Sequence, residues 1–302
     1  MQICSLLPSA TEILYALRLG ECVAGVTHEC DFPPEAARKP VLIRPRVDPH
    51  AAPQEIDRQV TELVSRGESI YSVDAQLLAS LRPDLIITQD LCHVCAASPD
   101  DLATALARLP KQPQVLSLSP HSLADVWRDI RRVGAATGTS RMAEALAADR
   151  AAKVAAIAVS ARSAASRPRV LCLEWLDPYY VGGHWVPEMV EAAGGEDILG
   201  RAGEPSFRVT AKDIAGSGAD VILVMPCGYN AARAAAVFRS TTLPECWSDL
   251  PALRLRKIFA VDANGYFSRP GPRLAEGMEV LAHLLHPELF PLNCPSGVFQ
   301  AL

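Results

Sequence analysis

The chain has 302 residues, 49% of them hydrophobic, which is enough to bury a large core, and the usual domain size favours two domains over one. Its 34 acidic and 29 basic residues are spread along the chain and leave a net charge of −5, with no basic block to track phosphates, which argues against nucleic acid as a partner. No run of about 18 apolar residues occurs, so no membrane-spanning helix is expected.

From the N-terminus, Ile3 to Leu7 reads as a short buried strand, and Ser9 with Glu12 has the S-x-x-E spacing of a capping box. A helix from Ala10 to Leu17 follows, Gly20 stops it, and Cys22 to Val26 reads as the next strand. The start MQICSLLPSATEILYALRLG thus passes from strand pattern to helix pattern without the basic and apolar regions of a secretory signal. The 9 cysteines are odd in number and scattered, as reduced thiols would be. Together these features predict an unexported, cytoplasmic protein.

Residues 33 to 54 are proline-rich and predict an irregular connection. Ala75 to Leu81 has helical spacing, Arg82-Pro83 ends it, and Asp84 to Thr88 reads as a buried parallel strand. The loop after that strand carries Gln89, Asp90, Cys92, His93 and Cys95. A related pattern returns where Ile214 to Asp220 leads into Val221 to Met225 and then the loop Pro226 to Tyr229. Strands alternating with helices in each half predict parallel sheets covered by helices. Between the halves, Ser140 to Ala165 is alanine-rich and free of proline, and predicts one long helix of roughly 35 to 40 Å.

Four segments, Pro8-Ser-Ala-Thr-Glu-Ile-Leu, Leu81-Arg-Pro-Asp-Leu-Ile-Ile, Met189-Val-Glu-Ala-Ala-Gly-Gly195 and Ala219-Asp-Val-Ile-Leu, resemble in order and spacing the cobalamin and ferric-siderophore substrate-binding proteins of ABC importers. The resemblance implies an α/β fold of two Rossmann-like lobes with parallel sheets joined by one long bridging α-helix: an N-terminal lobe at 1–138, the helix at 139–167 and a C-terminal lobe at 168–302. It also implies a glutamate on each lobe surface for pairing with permease arginines, where this chain has Gln76 and Lys212. Docking on an ABC permease is therefore in question, and a cytosolic relative of the family is the expectation.

With the strands ordered as in that fold, the loops 27–31, 89–95, 174–185, 226–230 and 264–271 are expected to face one interlobe cleft. Aromatic planes there suit a large flat ligand at small entropic cost. The expected ligand-binding residues are Thr27, His28, Asp90, Trp175, His184, Trp185, Tyr229, Tyr266, Phe267 and Arg269, with Arg269 offering a bidentate fork to a carboxylate or phosphate or tying down its own loop. The implied ligand is a corrinoid, either cobalamin or a precursor, with a haem or a siderophore as alternatives. Cys92 and Cys95, joined by Cys30 and Cys227 on loops expected nearby, could hold zinc or an iron–sulfur cluster. His283 and His286 read as packing or solvated residues of a C-terminal helix. No G-x-S-x-G elbow, H-E-x-x-H helix, G-x-x-x-x-G-K-[ST] loop or G-x-G-x-x-G turn occurs. Non-catalytic binding is the first reading, and a metal- or thiol-dependent enzyme using the cysteine- and histidine-rich loops is the alternative.

Overall fold

The computed structural model describes residues 1–89, 99–107, 109–291 and 294–302. The chain forms two compact units, Met1–Pro120 with Trp127–Ala147, and His121–Val126 with Ala148–Leu302. The sequence therefore leaves the first unit for six residues, returns to it, and leaves it again within a helix.

In the first unit, β1 (Ile3–Ser5) leads through Leu6 and Leu7 into α1 (Pro8–Ala16). Pro8 takes the first helical turn, where its missing N–H costs nothing, and draws the helix start forward of the expected Ala10. Ser9 and Glu12 are consequently buried inside the helix, and no side chain caps it; the expected capping box does not form. Next come β2 (Val23–Thr27), β3 (Val41–Pro45), α2 (Pro53–Ser65), β4 (Tyr71–Val73), α3 (Ala75–Leu81), β5 (Leu85–Gln89), α4 (Pro99–Ala107) and β6 (Gln114–Leu118). The strand β3 lies within the stretch expected to be irregular. Leu42 and Ile43 supply its buried residues, and pairing to β2 on one side and β4 on the other recruits the backbone between Pro40 and Pro45.

The six strands run in the order β4-β3-β2-β1-β5-β6, parallel throughout except that β4 is antiparallel to β3. The winding reverses between β1 and β5, the kind of switch point beside which α/β sheets bind ligands at the carboxyl ends of their strands. Leu85, Ile86 and Ile87 are buried, as a strand covered on both faces requires. The side chain of Asp74 accepts from the Leu77 amide at 2.9 Å to start α3, and Arg82, at φ 48°, ends it ahead of Pro83. Gln76 is exposed on the first turn of α3.

After α5 (Leu123–Ala136), Gly134 allows a close approach, since a Cβ there would fall 2.2 Å from the Ala143 Cβ of α6 (Ser140–Ala161). Helix α6 is 22 residues long, about 33 Å, and ends four residues short of the expected Ala165. Its residues through Ala147 belong to the first unit and those from Ala148 to the second.

The second unit continues with β7 (Arg169–Leu176), β8 (Tyr179–Val181), α7 (Val186–Ala192), β9 (Glu196–Asp197), β10 (Phe207–Arg208), α8 (Ala211–Ser217), β11 (Val221–Val224), α9 (Ala231–Ser240), α10 (Pro251–Arg254), β12 (Ile258–Val261), α11 (Ala263–Tyr266), α12 (Leu274–Leu285) and β13 (Phe299–Ala301). The sheet order is β10-β8-β7-β11-β12-β13, with β9 also paired to β7. Its centre, β7-β11-β12, is parallel, as expected. The margins β8, β10 and β13 are antiparallel to their neighbours; for β8 the reason is that the two residues Asp177-Pro178 after β7 leave room only for a hairpin. Thr210 and Asp213 form a reciprocal capping box at the start of α8, beside the exposed Lys212. Among the described residues no helix is long and apolar enough to cross a membrane.

Candidate functional site

In the first unit, the loop after β2 is anchored by a buried chain of hydroxyls and one thiol. The Thr11 hydroxyl donates to Ser5 Oγ at 2.8 Å, Cys30 Sγ lies 3.1 Å from Thr11 Oγ1, and Thr27 Oγ1 is 3.4 Å from the same sulfur. Thr27 and Cys30 are buried, so both hold the loop from beneath. His28 is half-buried above them, with Nδ1 3.2 Å from the Ile43 carbonyl and its ring 5.9 Å from that of Tyr71. Asp90, Cys92, His93 and Cys95 lie outside the described residues.

In the second unit, Glu174 and Trp175 sit on β7 itself, whereas the sequence placed them in a loop. Trp175 is half-buried, and its ring meets that of Tyr229 edge-on at 5.6 Å. Tyr229 follows β11 and is only 3% exposed; the Arg233 guanidinium lies 3.8 Å over its ring and donates to its hydroxyl at 3.3 Å. Trp185 and Phe267, at 4% and 1% exposure, belong to the core, and Tyr266 closes the short helix α11. Trp185, Tyr229 and Phe267, expected as open walls, are thus packing residues, because their glycine-rich neighbourhoods fold inward. Arg269 is buried in the turn after α11. Tyr266 stays half-buried, with the Arg273 guanidinium 5.4 Å over its ring.

His184 stands out in this unit. It has φ 51°, a left-handed conformation in which non-glycine residues are uncommon and which concentrates at functional sites. Two backbone bonds hold it there, from its own N–H to the Glu204 carbonyl at 2.6 Å and from the Gly203 N–H to its carbonyl at 2.9 Å. Its ring stacks on Trp185 at 5.6 Å and faces the exposed His121 at 5.5 Å, while its Nδ1 is buried and finds no hydrogen-bond partner among the described residues. Burial, and secondly the His121 charge, lower its pKa and favour the neutral imidazole. The sequence reading missed His121, although its position three residues after β6 marks it as a strand-end loop residue.

Below His184, the Glu174 carboxyl accepts from the Ser206 hydroxyl and the Gly183 amide, and burial pushes its pKa up to about 7. Asp197, on β9, is pushed up to about 6 by the same cause. Among the described residues no three His, Cys, Asp or Glu side chains gather as a metal site would need, and this leaves zinc or an iron–sulfur cluster without support. Cys30 is engaged in the hydroxyl chain, and Cys227 is exposed after β11. His286 is buried, with Nε2 3.2 Å from the Gly194 carbonyl, which makes it a packing residue as expected.

Residues 3–264 match the family described as periplasmic binding protein. YvrC of Bacillus subtilis, an uncharacterized ABC transporter substrate-binding lipoprotein, is 24% identical over 298 residues, covering 96% of this chain and 81% of that protein. The apo form of the periplasmic heme-binding protein RhuT from Roseiflexus superposes with a TM-score of 0.70 at 25% identity, over 95% of this chain and 98% of the other. The periplasmic vitamin B12 binding protein BtuF of Vibrio cholerae gives 0.69 at 20% identity, over 95% and 96%.

These likenesses overturn the cytoplasmic expectation, since the matched family is periplasmic and the Bacillus relative is a substrate-binding lipoprotein. Scattered free thiols do not require a reducing compartment here. Cys4 and Cys172 are buried strand residues, and burial pushes the Cys4 thiol up to about 12 and the Cys172 thiol up as well. Such thiols stay protonated and inert whatever the compartment's redox poise. With residues 3–264 of its 302 matched, this chain belongs to the periplasmic binding protein family.

Proposed function

We propose that this protein is a non-catalytic binder of a bulky, flat metal-macrocycle, a corrinoid in the first instance, and serves as the ligand-binding component of an ABC transporter. The observation that carries the reading is His184: a neutral imidazole in a strained conformation, stacked on a buried indole and facing a second imidazole at the edge of the sheet. A flat ring system gains contact area against such faces at little conformational cost. Trp175 and Tyr266 of the same unit, each partly open to solvent, add further faces, and Arg269 stays a candidate partner for an acidic ligand substituent. The likeness to the vitamin B12 binding BtuF favours a corrinoid, and the likeness to the heme-binding RhuT favours a haem as the second reading.

The test is a titration of purified protein with cyanocobalamin, dicyanocobinamide and haemin, followed by visible absorbance and calorimetry. A saturable spectral shift with either corrinoid supports the first reading, and one with haemin alone supports the second. If none of the three binds at high micromolar concentration, both readings fall.

A further inference from the structure

His184 lies on a continuation of the ladder between β8 and the edge strand β10. Val181 pairs with Phe207 and Tyr180 with Arg208, and the same register, carried three residues beyond Val181 and three before Phe207, sets His184 opposite Glu204. There the pairing changes from one-to-one to two-to-one. The His184 N–H donates to the Glu204 carbonyl at 2.6 Å, and the His184 carbonyl accepts from the Gly203 N–H at 2.9 Å. Gly203 has φ 76°. A left-handed glycine and the residue after it, both bonded to one residue of the facing strand, are the pattern of a G1 β-bulge, which re-aims side chains at sheet edges and beside functional sites.

The bulge is fixed on both flanks. A Cβ on Gly183 would lie 2.5 Å from both the Glu204 carbonyl oxygen and the Ser206 nitrogen, so the two backbones touch there and leave no room for a side chain. The Glu174 carboxyl of β7 clasps the two strands together, accepting from the Gly183 amide on one and from the Ser206 hydroxyl on the other. On the other flank, Asp197 Oδ1 accepts from the Gly200 amide at 2.7 Å and the Leu199 amide at 3.3 Å, and the Glu204 N–H closes a turn onto the Arg201 carbonyl at 3.2 Å. Residues 201–205 are themselves exposed, and a Cβ on Gly203 would meet nothing within 4 Å. Gly203 therefore contributes a backbone conformation and no side-chain packing.

We propose that Gly203 is a positioning residue for His184: its left-handed conformation makes the bulge, and the bulge holds His184 at φ 51° with its imidazole stacked on Trp185 and facing His121. Two bonds, one to the N–H and one to the carbonyl of the same residue, fix both peptide planes beside its Cα and so the direction in which its side chain leaves the backbone. A histidine does not keep the left-handed conformation unaided, because its Cβ crowds the following carbonyl, and surrounding structure has to impose it. Here that structure is the bulge and its Glu174 clasp. Alanine at position 203 disfavours the bulge by roughly tenfold, whereas asparagine enters the left-handed region far more readily. That His184 meets the ligand rests on the function proposed above; its placement by Gly203 does not.

The experiment compares Gly203→Ala with Gly203→Asn in the full chain, by NMR of isotopically labelled histidine at one fixed pH without ligand. The imidazole C–H resonances of His184, identified by their loss in His184→Ala, report its stacking on Trp185 through the ring current. Gly203→Ala should move them, and in titrations with cyanocobalamin and haemin should weaken whichever ligand binds by roughly five- to tenfold. Gly203→Asn should restore both. In a His184→Ala background, Gly203→Ala should cost no further affinity, because its effect passes through that residue. Unchanged His184 resonances in Gly203→Ala, whatever its thermal midpoint, overturn the positioning, as does an equal displacement in Gly203→Asn or a further loss of affinity in the His184→Ala background. Should Gly203→Ala fail to fold, Ser206→Ala, which loosens the clasp, is read in the same way, and unchanged resonances there overturn it. Resonances that follow Gly203 in a protein that binds neither ligand leave the positioning standing and remove only the proposed function.

Discussion

The indole N–H of Trp185 donates to the main-chain carbonyl of Phe267 at 2.8 Å, joining the turn after β8 to the end of α11 inside the core of the second unit. A buried carbonyl that loses its donor costs about 1–3 kcal/mol, and removing a buried aromatic ring costs about 3–5 kcal/mol. Trp185→Phe should therefore lower the urea midpoint by the smaller amount and Phe267→Ala by the larger, with the denaturant slope unchanged. Equal midpoints for Phe267→Ala and the unaltered protein would show that this ring is not part of the core.

Stability should carry a pH signature from Glu174. Its pKa in the folded protein lies above its ordinary value, so the folded state binds the extra proton, and its stabilising share is complete below pH 4.5 and lost as pH rises through about 7. Asp197 acts in the same direction between pH 3.8 and about 6. Urea denaturation at pH 5.5, 7.0 and 8.5 should give Glu174→Gln a gain relative to the unaltered protein that grows with pH. A gain that shrinks toward pH 8.5 would mean that the carboxylate is stabilised where it sits.

Ligand affinity and fold stability should separate by residue. His184→Ala and Trp175→Ala, at partly exposed faces, should weaken macrocycle binding by roughly tenfold each, about 1.4 kcal/mol, with thermal midpoints within a few degrees of the unaltered protein. Calorimetric titration of both variants decides the matter, and full affinity in both would remove these faces from the site.

Thiol reactivity should follow burial. At pH 8, Cys227 and Cys246, both exposed, are expected to react rapidly with an aromatic disulfide reagent, whereas Cys4 and Cys172 should label only after denaturation. Mass mapping of the labelled sites measures this. Early modification of Cys4 in the folded protein would contradict its buried position on β1.

Much of the first unit was legible because the signals there are local. The apolar run Leu85-Ile-Ile after Arg82-Pro83, and the proline-free, alanine-rich stretch from Ser140, each carry their structure within a short window. Strand β3 escaped because Pro40 and Pro45 at its ends mask a short pair of buried residues, and its identity as a strand comes from neighbours on both sides. His121 and His184 are separated by 63 positions, so their facing rings left no trace in any local window.

The aromatic residues show where local reading stops. Gly182 and Gly183 correctly mark a turn, but glycine is needed there because a loop twenty residues downstream lies directly on the Gly183 backbone. Turn composition says that side chains near Trp185 and Phe267 leave regular structure; it carries no information on whether they turn out to solvent or in to the core. From the sequence alone came the alternation of strands and helices, the long α6 and the family likeness, because periodicity and composition act between residues close along the chain. Tertiary structure alone decided which aromatics are open and which are core, which histidine is strained, and why two carboxyls sit above their ordinary pKa, because burial and electrostatics are set by groups that only folding brings together.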